Sequence, residues 1–573
     1  MVLTLFAGRL VQLQGMESGY YRKLSLSEKV VRIVLPALRG TIYGANGQIL
    51  AMTVTKYQVT ADPPQIPGAE KPTVAQQLAS PLGMRAAQVL NLLEHPSSTD
   101  YVVLASGVSA TNDAKIEALN VFGAGIYDSP SYDTAYPDGN ATANVVGFAT
   151  DGGTAAITGQ AGIEEEYDKL LSGTPGSEVV ETSADSQPIY PAIQETPAVN
   201  GASVKLTIDP VLQLQAQQAC QQEMTKSKAR QCTVVVMAPK TGDILAMAQY
   251  PTYDRNPVTD LAATANLDVQ SIFTPGSTAK VITAAAAFEH GGQTPMSTYQ
   301  IPYQIYRGGQ VIRDAEYTPG EHYTIAGIIA NSSNVGMSQV VEHVSPQLQY
   351  DYLRAFGLDE PTGLNLPGES QGLLLKPSQW AADARYTLSY GQGIAVNAVQ
   401  MASVYATIAN GGVRVQPRLI AGTYNAAGQY APAPPSKSTR VIAAKTAGEL
   451  ISILQQVPWV DQQANEPWGY IPGYAVAAKT GTSNESAQAG EPPCPAANPI
   501  CVYGASYIGM APGNGPQVVV AVNVQDPDRN SQNYFGDMVA GPVFYSVMKN
   551  ALQSQQILPQ PGLVAPYVRL NAR

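Results

Sequence analysis

The chain has 573 residues, room for three or four average domains and for a sizeable core. Its formal net charge of −11 and its evenly spread 13% of charged residues offer no basic tract to follow a nucleic-acid backbone, so nucleic acid is not an expected partner. The four histidines, His95, His290, His322 and His343, have no metal-ligand spacing and no Gly-rich phosphate loop occurs, so no metal and no other cofactor is expected.

At the N-terminus, Met1 to Gly8 are apolar but Arg9 follows, whereas a bilayer span needs about 20 apolar residues. A signal peptide's charged start and small-residue cleavage site are also missing. Two readings stand for residues 1–14: the outer end of a membrane anchor whose beginning lies outside this chain, or an amphipathic lead-in helix.

Short alternating runs begin at Arg39-Gly40-Thr41-Ile42-Tyr43. Asn46-Gly47, between Ile42-Tyr43 and Ile49-Leu50, predicts a hairpin, because a two-residue turn that matches strand twist needs residues tolerant of positive φ. To about residue 200, short strands mix with helical stretches such as Ala75 to Leu93. The Thr/Pro/Asn/Gly-rich passage Glu195 to Ala202 reads as a linker. A first domain over 15–202 is therefore expected, free of the chemical motifs described below.

A second domain, 203–555, opens with a strand (Val204 to Ile208) and a Gln-rich helix (Asp209 to about Met224). Two apolar runs follow, Val234 to Met237 and Ile244 to Ala248, and Lys240-Thr241-Gly242 between them reads as a hairpin turn. Pro559, Pro561 and Pro566 mark 556–573 as an irregular tail.

Three short motifs each occur twice in the chain, and only one choice of copies runs in the order Ser-x-x-Lys, Ser-x-Asn, Lys-Thr-Gly. That triple is Ser277/Lys280, Ser332/Asn334 and Lys479/Thr480/Gly481. Its order and spacing are those of enzymes that acylate a serine with a D-Ala-D-Ala peptide or with penicillin. The other copies read as structure: Ser546/Lys549 in an apolar-periodic stretch near the C-terminus, Ser531/Asn533 in a polar loop, and the Lys240 turn.

The chemistry explains the residue types. A serine hydroxyl is a poor nucleophile at neutral pH and needs a base within hydrogen-bond reach. Thr274-Pro275-Gly276 precede an Ala-rich helical run reaching about His290, so Ser277 falls at a helix N-terminus, where free N–H groups favour developing negative charge. Lys280, three residues on, shares its face. As a neutral amine it can take the serine proton, provided burial and a second cation, Lys479, lower its pKa.

Ser332 and Asn334 sit between the apolar stretches Tyr323 to Ile329 and Met337 to Val341, which predicts a bend between two helices. Ser332 is assigned a proton relay, and the Asn334 amide a hold on the substrate backbone. Lys479 to Thr482 follow the small-residue strand Tyr474 to Ala478. There Gly481 lets an extended peptide approach the strand edge, and Lys479 and Thr480 meet its terminal carboxylate. The backbone N–H groups of Thr482 and Ser277 supply the oxyanion hole, each donor worth about 3 to 4 kcal/mol.

Gly368-Glu369-Ser370-Gln371-Gly372 matches the hydrolase elbow pattern but follows Pro367 and has no strand-then-helix frame. The cysteines fall as Cys220 with Cys232 and Cys494 with Cys501. Two local disulfides, each worth about 2 to 3 kcal/mol in an oxidising compartment, are the simplest reading; four buried free thiols are the alternative.

With these motifs the chain resembles class B penicillin-binding proteins, most closely the FtsI-type septal transpeptidases of actinobacteria. Further residues carry the likeness: Arg39-Gly40-Thr41-Ile42, Tyr136-Pro137, Gly162-Ile163-Glu164, Pro239 to Gly242 with Ile244 to Met247, Gly391-Gln392-Gly393 and Ala409 to Gly412. The resemblance implies an α+β fold, in which an elongated mixed α/β pedestal precedes a domain whose antiparallel sheet lies between helical layers. It implies a single-pass membrane anchor, with the catalytic domain on the extracytoplasmic side. The implied substrates are peptidoglycan stem peptides, β-lactams the inhibitors, and a membrane glycosyltransferase and divisome proteins the partners. Three departures are Gly44-Ala45, where Asp-Arg is usual before Asn-Gly, Ala478, where Gly is common, and Asn397, where Thr is common. An elongation-type transpeptidase, a hydrolytic relative (carboxypeptidase or β-lactamase) and an idle scaffold or sensor remain alternatives.

Overall fold

The computed structural model describes residues 9, 11, 12 and 30–571, apart from 100, 122, 151–156, 183–187, 316–319, 464–466, 486–501, 529–533, 561, 563 and 564. The region 1–14 lies largely outside the described residues. Among the described residues no helix is long and apolar enough to cross a membrane.

The N-terminal half is built on β1 (Val30–Leu35), β2 (Ile42–Tyr43), β3 (Ile49–Ala61), α1 (Lys71–Leu82) and α2 (Ala86–Glu94). Asn46-Gly47 does form the turn between β2 and β3, which pair antiparallel. The single helix expected over Ala75 to Leu93 is two. Gly83 at φ +66° ends α1 in the left-handed conformation that other residues adopt only at a cost.

Next come β4 (Val102–Ser109), β5 (Ile126–Ala135), β6 (Gly176–Thr182), β7 (Pro188–Thr196) and β8 (Ser203–Leu206). β1, β6 and β7 form a separate three-stranded sheet. The expected linker begins as the end of β7 and enters β8 directly.

β8 pairs in parallel with β2 and antiparallel with β13 (Ile420–Tyr424), which itself carries β14 (Tyr430–Pro432). One seven-stranded sheet, in the order β14-β13-β8-β2-β3-β4 with β5 also on β3, thus crosses from the N-terminal half into the C-terminal half. Two buried arginines stiffen this region. Arg39 donates to Glu164 at 2.7 Å and to Asp168 at 2.6 Å. Arg255 donates to Asp138 at 2.9 Å, and its guanidinium lies 4.1 Å from the Tyr136 ring centroid.

The C-terminal half is organised by a five-stranded antiparallel sheet. Its strands are β9 (Gln231–Met237), β10 (Ile244–Tyr250), β15 (Ala477–Glu485), β16 (Val502–Ala511) and β17 (Val518–Gln525), in the order β10-β9-β17-β16-β15. Lys240-Thr241-Gly242 is the β9–β10 turn.

Side chains alternate across the sheet and feed two cores. Val234 and Val236 join Leu212 of α3 (Pro210–Ser227) and Phe544 of α10 (Gly541–Ser554) in one core. Val235 and Met237 face the other core, which holds α4 (Lys280–Glu289) and α7 (Ala398–Ala409). With helices on both faces, every residue of central β17 is buried. This is the expected α+β arrangement of a sheet between helical layers. Asn397 N-caps α7 by accepting from the Gln400 N–H at 2.8 Å. The tail is irregular but not loose: Thr324 donates its backbone N–H to the Leu570 carbonyl at 2.9 Å.

Candidate active site

The Ser277 turn precedes α4. Gly276–Ala279 make a single 3₁₀ turn that runs straight into the helix, so Ser277 sits one turn before α4 rather than at its first residue. The turn is held from three sides. Thr278 Oγ1 donates to the Pro275 carbonyl at 2.7 Å, and the buried Tyr405 hydroxyl of α7 donates to the Thr278 carbonyl at 3.0 Å. Gly276 donates its N–H to the Gly391 carbonyl at 3.1 Å. Gly391, at φ +82°, approaches so closely that a Cβ there would lie 2.0 Å from the Gly276 oxygen. Ser277 itself is half-buried.

Lys280 is fully buried. Its Nζ donates to the Ser332 carbonyl at 2.5 Å and lies 3.3 Å from Ser332 Oγ. Burial drives its pKa well below the lysine range; nearby Lys479 pushes the same way and Asp314 opposes both.

Ser332 occupies the predicted bend between α5 (Ile325–Ala330) and α6 (Asn334–Val340). Its φ of +57° is left-handed, a conformation costing about 1–2 kcal/mol for a residue with a Cβ. The start of α6 is organised by Asp314, just beyond the hairpin of β11 (Gln304–Arg307) and β12 (Gln310–Arg313). Asp314 Oδ1 accepts the N–H groups of Asn334 at 2.5 Å and Val335 at 2.9 Å, and Oδ2 accepts the Ser333 hydroxyl at 2.6 Å. The Asn334 side-chain amide donates to the Arg313 carbonyl at 3.4 Å.

The third motif lies on edge strand β15. A Cβ at Gly481 would stand 3.0 Å from both the Pro275 oxygen and Thr278 Cγ2, so the missing side chain lets β15 lie against the Ser277 turn. Lys479 is fully buried, and its Nζ donates to the Thr480 carbonyl at 3.0 Å and lies 3.3 Å from Thr480 Oγ1. Burial lowers its pKa to about 8, against the opposing charges of Asp461 and Asp537.

Those two carboxylates come from α8 (Val457–Gln463) and α9 (Gly536–Val539), on either side of β15 in sequence. Asp461 accepts from the buried Tyr507 hydroxyl at 3.1 Å. Thr482 Oγ1 accepts the Gly536 N–H at 3.0 Å, tying β15 to α9.

Ser277, Lys280, Ser332, Lys479 and Gly481 thus meet, although about 200 residues of chain separate the first from the last. Asn334, Thr480 and Thr482 flank them. Sequence reasoning misses Asp314, Asp461, Asp537 and Tyr507 as neighbours of the site, because none stands at a motif spacing. Gly391 enters it only through the family resemblance, not as a support of the Ser277 turn.

Cys220 and Cys232 form a disulfide between α3 and β9, and both belong to the core on the α3 side of the sheet. Cys494 and Cys501 lie outside the described residues. So do Ser531 and Asn533, whereas Ser546 and Lys549 sit in α10. Gly368 to Gly372 form no strand-to-helix elbow; the segment is held by Thr362 N–H on Glu369 and by Ser370 N–H on the Val269 carbonyl. Among the described residues no cluster suited to a metal ion occurs.

The penicillin binding protein transpeptidase domain model matches residues 232–549, and the penicillin-binding protein dimerisation domain model matches 34–206. Penicillin-binding protein PbpB of Mycolicibacterium smegmatis is 32% identical, covering 98% of this chain and 90% of its own. Peptidoglycan D,D-transpeptidase FtsI of Escherichia coli is 28% identical, covering 91% of this chain and 84% of its own. The crystal structure of penicillin binding protein 3 from Mycobacterium tuberculosis, complexed with ampicillin, superposes with a TM-score of 0.70 at 30% identity, covering 94% of this chain and all of that one. With the Ser277 turn, a buried lysine pair and an edge strand joined in one site, and with these matches along its length, the chain belongs to the penicillin-binding protein transpeptidases.

Proposed function

We propose that the protein is a serine-type peptidoglycan D,D-transpeptidase that works through an acyl-enzyme on Ser277 and is inhibited by β-lactams. The observation that carries this reading is Lys280: fully buried, with its pKa driven down, and in contact with Ser332. A buried amine with a lowered pKa, three residues after a half-exposed serine, supports a general-base role for Lys280.

In the first step Ser277 Oγ attacks the carbonyl carbon of the penultimate D-Ala while Lys280 takes the hydroxyl proton. The resulting oxyanion lies between the backbone N–H groups of Ser277 and Thr482. The C–N bond then breaks, and the departing D-Ala amine receives the proton from Lys280 through Ser332. In the second step an amine of a neighbouring strand attacks the ester, loses a proton by the same relay, and Ser277 leaves with its hydroxyl restored. Lys479 and Thr480 hold the terminal carboxylate, Asn334 holds the peptide backbone, and Gly481 opens the strand edge to it.

By the same reading the enzyme serves septal wall synthesis on the extracytoplasmic side of the membrane, held by an N-terminal anchor. The glycan strand comes from a membrane glycosyltransferase working beside it with divisome proteins. The likeness to the peptidoglycan D,D-transpeptidase FtsI supports the wall-synthesis part of this reading.

The test is incubation with a fluorescent penicillin, followed by peptide mass spectrometry, with Ser277→Ala as control. A lasting adduct on Ser277 that the control lacks supports the proposal. An intact penicillin with no adduct overturns it in favour of a scaffold, and rapid penicillin hydrolysis overturns it in favour of a β-lactamase.

A further inference from the structure

Beyond α10 the chain is irregular, yet it bonds to both walls of the site. Just ahead of β15, the Tyr474 hydroxyl donates to the Ile557 carbonyl at 2.7 Å, and Gln560 donates its N–H to the Gly473 carbonyl at 2.7 Å. Gln456, one residue before α8, donates its side-chain amide to the Pro566 carbonyl at 2.8 Å. The chain then reaches α5. There the Leu570 carbonyl accepts the Thr324 N–H at 2.9 Å, and Thr324 Oγ1 donates between the Arg569 and Leu570 carbonyls at 2.7 and 3.0 Å. Asn571 and Tyr323 complete the contact as an antiparallel bridge.

α5 has six residues, too few to hold its shape without outside contacts. Its cap is Thr324 itself, whose Oγ1 accepts the Gly327 N–H at 3.0 Å. Gly327 is where the tail comes nearest: a Cβ there would stand 2.1 Å from the Leu570 oxygen. The Gly327 carbonyl in turn accepts both the N–H and the side-chain amide of Asn331, each at 2.9 Å, and Ser332 follows. One helical turn therefore separates the tail's seat on α5 from the Ser332 turn. A cavity of about 980 Å³, lined by Asn331, Trp459, Val476 and Tyr567 among others, lies between these elements, so packed side chains do not fix their spacing there.

We propose that residues 566–571 are a positioning strap: by bonding to Gln456 on one side and to Thr324 on the other, they seat α5 relative to α8 and so hold the Ser332 turn in reach of Lys280. The inference rests on the transpeptidase reading above, in which that turn serves acylation.

The strap and Gly327 form a testable pair, because Gly327→Ala crowds the Leu570 carbonyl only while that carbonyl is present. Four proteins are compared: the full chain, Gly327→Ala, the chain without residues 566–573, and the two changes combined. The experiment measures the maximal rate and the half-saturating concentration for Ser277 acylation by a fluorescent penicillin, per labelled molecule, with Tm recorded for each. Thr324→Val and Thr324→Ser in the full chain keep the test open if the shortened chain does not fold. The first loses the hydroxyl shared with the Arg569 and Leu570 carbonyls and the second keeps it.

Gly327→Ala and the shortening are each expected to lower the maximal rate at least about tenfold, the cost of a misplaced catalytic group, while the half-saturating concentration changes less. The combined protein should be no slower than the shortened one. Thr324→Val should be slow and Thr324→Ser close to wild type. Wild-type maximal rates in both Gly327→Ala and Thr324→Val would overturn the proposal, as would losses confined to Tm or to the labelled fraction. So would a combined protein slower than the shortened one by the full Gly327→Ala factor, since Gly327 would then act without the tail. Wild-type protein that fails to label at Ser277 would instead sink the transpeptidase reading itself, so the two failures are distinguishable.

Discussion

The Lys280 amine is bonded to the carbonyl of Ser332 at 2.5 Å and stands 3.3 Å from its hydroxyl. One side chain from α4 thereby spans two groups of a turn 52 residues away in sequence. The carbonyl contact holds the lysine in place whether or not the hydroxyl is present, so geometry and the proposed proton relay can be separated.

Ser332→Ala removes only the hydroxyl. Acylation by penicillin is expected to fall about 10²-fold, the ordinary worth of a positioned proton-transfer group. The melting temperature should change little. Ser332→Gly removes the same hydroxyl and relieves the left-handed φ of +57°, so its Tm should match or exceed the wild type while acylation is equally slow. Normal acylation rates in both variants would eliminate the relay.

Lys479, with a pKa near 8, predicts an alkaline limb in kcat/KM for a D-Ala-D-Ala substrate, because its charge is lost as pH rises through that value. Lys479→Arg keeps the charge and should move the limb upward. Stability follows its own sign. Between about pH 8 and the ordinary lysine value of 10.5, the unfolded chain binds more protons here than the folded one, so this group's contribution to stability grows with pH through that window. A profile that stays flat across pH 7 to 9 would count against the Lys479 role.

Gly391→Ala should be more damaging than Gly481→Ala. The first places a Cβ 2.0 Å from the backbone oxygen of Gly276 at a φ of +82°, while the second meets Pro275 and Thr278 at 3.0 Å. The strain from Gly391→Ala acts on the peptide preceding Ser277, so a destabilisation of about 2–3 kcal/mol and a marked loss of acylation should appear together. Denaturant unfolding and penicillin labelling measure both.

The Cys220–Cys232 disulfide closes a short loop between α3 and β9, on the side of the sheet away from α4. Replacing both cysteines by serine should cost about 3 kcal/mol through the unfolded state and lower Tm. The acylation rate of the protein that remains folded at 25 °C should not change. A rate change at constant folded fraction would show that the bond reaches the site.

Much of the site is legible in the order of the residues, because acylation chemistry demands particular side chains in a particular succession. Ser277, Lys280, Ser332 and Lys479 carry that demand in their identities, and the Asn46-Gly47 and Lys240 to Gly242 turns announce themselves through local backbone preference. The disulfide partners Cys220 and Cys232 follow from nearness in sequence. Gly83 splits a helix that apolar periodicity alone reads as one, since periodicity does not report the φ that a glycine adopts.

The amino-acid sequence alone therefore carries the local features, turns and strand alternation, and nominates Ser277, Lys280 and Lys479 for the proposed chemistry. The tertiary fold alone settles how strongly each group is perturbed and by whom. Asp314, Asp461 and Asp537 reach the lysines from separate elements, and Gly391 meets Gly276 across 115 residues of chain. Burial and electrostatic coupling depend on distances through space, and no spacing along the chain encodes them.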